Sequence, residues 1–202
     1  MDDGHKQRED IAVTLSTTER VSLRCTAAGT AFLARPLGAG QDPDLDHFAA
    51  RVNALAPHED TPPAGRDRVL AAVKEIAARL DPSGCDGDET GYGRCVLHDD
   101  PTGWSLAAIA LRRGQAIPPH DHAAWGGAVT VQGTERNRRF AADQAGGLTL
   151  VDEWDYPAGT GYVFDRVDVH EPVGADPADV TISLHFLVDP GHHRHQAHHE
   201  RQ

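Results

Sequence analysis

The chain has little positive charge and no long apolar run. Of its 202 residues, 19 are lysine or arginine and 31 are aspartate or glutamate, so the formal net charge is -12. An acidic surplus without a basic run in the body of the chain argues against nucleic acid and anionic membrane surfaces as partners, and favours a small molecule. A membrane span would need roughly 18 or more consecutive apolar residues, and the sequence contains no such stretch.

The N-terminus and the cysteines argue against a disulfide-rich secreted protein. The segment 1–6 is polar, and no apolar stretch follows it, so we expect a soluble, cytoplasmic protein. The cysteines Cys25, Cys85 and Cys95 are odd in number and lack the spacing of a metal site. They are therefore interpreted as three reduced thiols.

Two stretches near the N-terminus have apolar residues at spacings of three and four, which predicts amphipathic helices between about residues 44 and 82. The apolar positions are Leu45, Phe48, Val52 and Leu55 in the first stretch, and Val69, Val73, Ile76 and Leu80 in the second. The segment 57–65 separates the two helices, and the Pro-Ser-Gly sequence at 82–84 ends the second.

From residue 92 onward, short apolar runs alternate with Gly, Pro and Asp, as is typical of β-strands and their turns. The runs are 95–97, 104–111, 128–131, 148–151, 162–164 and 180–188. Helices followed by a run of strands predict a mainly β fold: an antiparallel jelly-roll barrel over about 92–188 with an N-terminal helical region.

The length of the chain favours one domain, which we place at residues 11–190. Short alternating stretches between residues 11 and 33 could add strands to it. Residues 1–10 are polar, and residues 191–202 form a His-rich tail without hydrophobic periodicity, so both ends are expected to be disordered. The sequence does not distinguish a monomer from a dimer.

The tripeptide His120-Asp121-His122, with a further histidine at His170, predicts a metal site. On a β-strand, side chains at positions i and i+2 point to the same face, so both imidazoles of the pair would converge while Asp121 points away. A single histidine is more often a packed or surface group than a ligand, and we assign that role to His98. The pair together with His170 is the stronger signal.

The residues around the histidine pair follow the first sequence motif of the cupins. The pattern Gly114-x5-His120-x-His122-x3-Gly126-x6-Gly133 matches it except that Gly126 stands where the motif has a glutamate. The sequence resembles cupins of the cysteine dioxygenase type I family and its bacterial relatives, which have a three-histidine iron site. The resemblance covers residues 92–188 and implies a double-stranded β-helix with Fe(II) held by His120, His122 and His170.

The resemblance also implies which other residues surround the metal. Tyr92-Gly93-Arg94 lies where the family has a Tyr-x-Arg, whose arginine holds the carboxylate of the substrate, and the segment Ala123-Ala124-Trp125-Gly126 is similar to the bacterial branch. Tyr92 and Trp125 are expected to line the pocket or, equally, to belong to the core. Ser183-Leu184-His185 matches the outer Ser-x-His of the family, which orients groups around the metal.

The implied activity is that of a thiol dioxygenase, an oxidoreductase that uses O2 to convert a small carboxylate-bearing thiol to its sulfinate. Leu187 departs from the family, which has a tyrosine at that position in a Ser-x-His-x-Tyr sequence. The substrate could therefore be cysteine, a mercapto acid or another thiol. Two other functions stay open: a metal-binding cupin that senses a small ligand without turnover, and a cupin enzyme using another metal, since histidines alone do not select iron.

Overall fold

A computed structural model describes residues 43–80, 82, 92–142, 147–176 and 179–189. The predicted strands between residues 11 and 33, the two terminal segments 1–10 and 191–202, and two of the three cysteines lie outside the described residues. The third, Cys95, is half-buried and is not in a disulfide with any described residue. None of the helices in the described part of the chain has both the length and the apolar character needed to cross a membrane.

The described part of the predicted helical region contains two helices. Helix α1 spans Pro43–Leu55 and helix α2 spans Pro63–Ala77. Helix α2 begins with a proline in its first turn, where the missing N–H costs no hydrogen bond. It ends earlier than the spacing predicts, because Leu80 lies beyond the helix and packs against the same core from the following turn.

Eight antiparallel strands follow the helices in the described residues, and the apolar runs of the sequence predict six of them. They are β1 (Gly93–Asp100), β2 (Trp104–Arg112), β3 (Gly126–Gln132), β4 (Thr134–Ala142), β5 (Leu148–Pro157), β6 (Gly161–Phe164), β7 (Val169–Gly174) and β8 (Val180–Val188). They form a five-stranded sheet in the order β1-β2-β8-β3-β6 and a three-stranded sheet in the order β5-β4-β7. Because β8 lies between β2 and β3, the connectivity is that of a jelly roll, and the predicted mainly β cupin fold with N-terminal helices is confirmed.

The two faces of the five-stranded sheet have different surroundings, and strand β8 shows the difference most clearly. Ile182, Leu184 and Phe186 pack in one core with the buried faces of α1 and α2. Ser183 and His185 alternate with them and reach the three-stranded sheet, where they contact Glu135 of β4. The helices therefore cover the outer face of this sheet, and the space between the two sheets is the interior of the barrel.

Candidate metal centre

The three predicted ligands meet at one end of the barrel interior. His170 lies on β7, whereas His120 and His122 lie in the segment between β2 and β3. His120 and His170 are paired as an antiparallel bridge, with N–H···O distances of 3.0 and 2.9 Å between their backbones. The expectation that the His-x-His pair lies on a regular strand is wrong: only His120 is bridged, because Pro118 and Pro119 just before it have no N–H to donate to a ladder.

The side chains of these histidines form a compact group. Their candidate ligand atoms all lie within 4.8 Å of one another, so the group could hold a metal ion. The Nε2 atoms of His122 and His170 are 3.0 Å apart. Metal–nitrogen bonds of about 2.1 Å at right angles would place two ligand nitrogens at about this separation.

Groups behind two of the imidazoles fix their orientation. Nδ1 of His120 lies 2.8 Å from the backbone carbonyl oxygen of Pro118, and Nδ1 of His170 lies 2.9 Å from Oδ1 of Asn137. Both oxygens are acceptors, so each Nδ1 carries the proton and donates it, and each Nε2 presents a lone pair. Nε2 of His170 therefore faces Nε2 of His122, 3.0 Å away, with a lone pair that a proton or a metal ion can share.

The surroundings keep all three imidazoles neutral. Burial lowers the pKa of His120 below its usual value of 6.5, and it lowers the pKa of His122 to about 3, helped by the neighbouring histidines. The pKa of His170 is lowered to about 2, first by burial and then by His120 and His122. Neutral imidazole is the form that binds a metal, so these donors suit a transition metal ion.

The position of the missing carboxylate is closed by an aromatic ring. A Cβ atom at Gly126 would lie 2.5 Å from Cε2 and Cζ of Phe164 and 2.7 Å from the backbone oxygen of Phe186. The Phe164 ring stacks on His122 with centroids 4.5 Å apart and lies at the same distance from the ring of His170. A glutamate therefore has no room at position 126, and the three histidines form the group without a carboxylate.

Arg94 lies on the interior face of the same sheet. It pairs with Ile109 on β2, which pairs with Ser183 on β8, and directly opposed residues share one face of a sheet. Its side chain is half-buried and has no hydrogen bond or ion pair with any residue that the structure describes. Tyr92 is half-buried just before β1, and no hydrogen bond joins either residue to the histidines within the described ranges.

Ser183 and His185 form a buried polar cluster with Glu135, a residue that the sequence interpretation missed. Ser183 Oγ donates to Oε2 of Glu135, and His185 Nε2 lies 3.2 Å from the same oxygen and 3.1 Å from Ser183 Oγ. The hydroxyl of Tyr162 donates to the other carboxylate oxygen at 2.7 Å.

Burial alone would raise the pKa of the Glu135 carboxyl. The electrostatic influence of the neighbouring His185 and the hydrogen bonds from His185, Ser183 and Tyr162 instead hold this pKa below its usual value. The alternation of β4 could have revealed the residue, because a strand that exposes Arg136 and Arg138 must turn Glu135 and Asn137 inward.

The last two predicted site residues lie in different places. Leu187 packs against Tyr162 and Phe164 beside the histidines. Trp125 belongs to the core between the helices and the five-stranded sheet, where its indole N–H donates to the carbonyl oxygen of His58 at 2.8 Å. Of the two places expected for Trp125, the pocket and the core, it therefore lies in the core, away from the histidine group.

Comparison with known proteins adds weak similarities only. No family model matches the chain, and no curated protein matches it. Among solved structures, a cupin 2 conserved barrel domain protein from Leptotrichia buccalis is 15% identical with a TM-score of 0.40, and the match covers 50% of this chain and 43% of that one. A cupin superfamily protein from Desulfitobacterium hafniense is 10% identical with a TM-score of 0.41, covering 56% and 87%.

An oxalate oxidase in complex with the substrate analogue glycolate is 16% identical with a TM-score of 0.40, and the match covers 50% of this chain and 53% of that one. Similarity this weak says nothing about the reaction. The fold and the site of this chain define a cupin-type β-barrel with a three-histidine group that could hold a metal ion.

Proposed function

We propose that the protein is a mononuclear non-haem Fe(II) thiol dioxygenase, which oxidises a small carboxylate-bearing thiol to its sulfinate with O2. The observation that carries this proposal is the combination of three neutral histidines with a closed carboxylate position. His120, His122 and His170 would hold the ion, and Phe164 occupies the place of a fourth protein ligand. Three neutral donors leave the charge of a divalent ion uncompensated, which favours an anionic sulfur ligand.

A bound Fe(II) would supply the redox chemistry and the open coordination positions for a thiolate and oxygen. In the overall reaction, a thiolate and one O2 give a sulfinate: the O–O bond breaks and two S–O bonds form. Sulfur loses four electrons and the two oxygen atoms gain them, so no further reductant is consumed.

The task that we assign to Arg94 is to orient the substrate. A guanidinium on the interior face that has no partner among the described residues is available for a bidentate, charge-assisted pair with a carboxylate. Arg94 pairs with Ile109, which pairs with Ser183 on β8. The backbones of Arg94 and Ser183 are therefore two strand spacings apart, about 10 Å. A short substrate held at its carboxylate would then direct its sulfur toward the histidine group.

Apolar side chains beside the histidines would exclude water from the reacting thiolate. Phe164 contacts two of the three imidazoles, and Leu187 packs against the cluster to which Phe164 belongs. An apolar wall strengthens the attraction between a cation and the thiolate, because fewer water molecules screen it.

Oxygen uptake with a panel of thiols tests the proposal. Protein loaded with Fe(II) should consume O2 with at least one small carboxylate-bearing thiol and give a product with the mass of the sulfinate. Replacing a ligand, as in His120→Ala, should abolish uptake. Arg94→Gln should raise KM for the thiol far more than it lowers kcat, whereas Arg113→Gln, a change at an exposed arginine of the β2–β3 segment, should do neither.

Different outcomes would support the alternatives. If no thiol supports oxygen uptake by the iron-loaded protein, the dioxygenase proposal is wrong. Thiol binding without turnover would then indicate a sensor, and activity with another ion would indicate a different cupin enzyme. Metal analysis of protein made without added metal distinguishes these cases, because histidine ligands bind several first-row ions.

A further inference from the structure

Glu135 is the carboxylate most deeply buried in the described part of the barrel. Glu135 belongs to β4, its side chain points into the space between the two sheets, and it has no exposed surface. A buried charge is costly unless it is paired and hydrogen-bonded, and Glu135 has three partners: Tyr162, Ser183 and His185. Glu135 is not one of the three residues that could hold the metal ion.

We propose that Glu135 is a positioning residue that fixes the proton and the orientation of His185 inside the barrel. Its part in turnover rests on the proposed thiol oxidation, but its effect on His185 does not.

The available protons decide the orientation of His185. An ionised carboxylate only accepts hydrogen bonds, and the single proton of the Ser183 hydroxyl is already donated to Glu135. His185 Nε2, which lies within 3.2 Å of both oxygens, must therefore carry a proton and share it between them. Without the carboxylate, Ser183 could donate to an unprotonated Nε2, and the imidazole could hold its proton on Nδ1 instead.

Fixing the proton on Nε2 also determines the state of the other ring nitrogen of His185, Nδ1. Nδ1 of His185 has no partner in the part of the chain that the structure describes, and the side chain retains a little exposed surface. His185 lies directly opposite Ala128 on β3, whose other neighbour is Tyr162 on β6. Nδ1 is thus left free to contact a molecule bound in the interior.

The same cluster explains why Leu187 is compatible with an ordered His185. Leu187 packs against the cluster of Ala128, Tyr162 and Phe164. The phenol of Tyr162, contributed by the neighbouring strand β6, donates to Glu135 at 2.7 Å. A phenol is therefore linked to His185 through the carboxylate, although position 187 has none.

Nitrogen NMR of histidine-labelled, metal-free protein tests the inference independently of turnover. The wild type should show a protonated His185 Nε2 whose hydrogen exchanges slowly with water, assigned by its loss in His185→Gln. In Glu135→Gln, the Nε2 signal should move toward that of an unprotonated nitrogen. Glu153→Gln, which removes a half-exposed carboxylate on β5, is the matched control and should leave the His185 signals unchanged.

The kinetic measurement adds a second readout. In Fe(II)-loaded Glu135→Gln, kcat for thiol oxidation should fall about 10- to 100-fold, as when a hydrogen-bond partner that orients a functional histidine is removed, with little change in KM and in metal content.

An unprotonated Nε2 in the wild type, or identical Nε2 signals in wild type and Glu135→Gln, overturns the inference. The wild-type signal decides the matter even if the variant does not fold. If the NMR result is as expected but no thiol is oxidised by the wild type, the positioning role stands and the proposed function fails.

Discussion

Replacing Gly126 with alanine should damage the metal centre although alanine adds a single methyl group. The new Cβ would lie 2.5 Å from two ring atoms of Phe164 and 2.7 Å from the backbone oxygen of Phe186. The oxygen belongs to β8, a central strand bonded on both sides, so it cannot move away cheaply. The Phe164 ring must shift instead, and this ring contacts His122 and His170.

Overpacking of this kind costs about 1–3 kcal/mol of the free energy of unfolding. Displacement of Phe164 should also disturb the orientation of both histidines and weaken metal binding by about 10-fold. The double variant Gly126→Ala/Phe164→Leu should lose less stability than the sum of the two single changes, because the smaller side chain makes room for the methyl group.

Thermal unfolding and calorimetric titration with Zn2+ measure the two effects. Gly127→Ala is the matched control: its Cβ would meet a carbonyl oxygen at 3.1 Å and Leu70 at 3.2 Å, on the helix side of the sheet. The control should lose stability without losing metal affinity. If Gly126→Ala changed neither the stability nor the zinc affinity, the conclusion that the Phe164 ring fills the space beside position 126 would be wrong.

Three other predictions follow from the contacts of the histidines. Asn137→Ala should weaken zinc binding about 10- to 100-fold in a titration by leaving Nδ1 of His170 unpaired, whereas Asn53→Ala, which removes the acceptor of the Trp104 indole N–H outside the site, should not. Because the folded state lowers the pKa of His122 to about 3 and of His170 to about 2, metal-free protein should keep its full stability above pH 6.5 and lose it as the pH falls toward those values. The loss should approach about 1.4 kcal/mol per pH unit for each histidine in denaturant titrations, and a pH-independent stability between 7 and 5 would contradict it. Leu187→Tyr should change kcat or thiol preference in the oxygen-uptake assay, and identical kinetics would show that the residue at 187 does not affect turnover.

The fold and the three-histidine group could be predicted because each has a local signal. The helices α1 and α2 follow from apolar spacing, and most strands follow from apolar runs between turn residues. His120 and His122 are two residues apart in the sequence, so their proximity is independent of the rest of the fold. The place of His170 beside them depends on pairing across the sheet, and the family resemblance supplied that information.

The residues around the histidines were harder to predict because their roles depend on which strands become neighbours. Phe164 closes the position of the missing carboxylate only because β6 pairs with β3. Glu135 and Asn137 lie in a strand with four nearby charged or polar residues, so β4 lacks an apolar run, and only the alternation of its residues could indicate which of them face inward. Trp125 lies three residues after His122, yet the chain turns into β3 there and directs the indole toward the helices.

Labelled oxygen tests the central claim most directly. Fe(II)-loaded protein should be given a carboxylate-bearing thiol under 18O2, and the product should be analysed by mass spectrometry. We expect a sulfinate in which both oxygen atoms are labelled, formed by the wild type and not by the variant His120→Ala. Absence of oxygen consumption with every thiol, or a product that is only the disulfide, would contradict it.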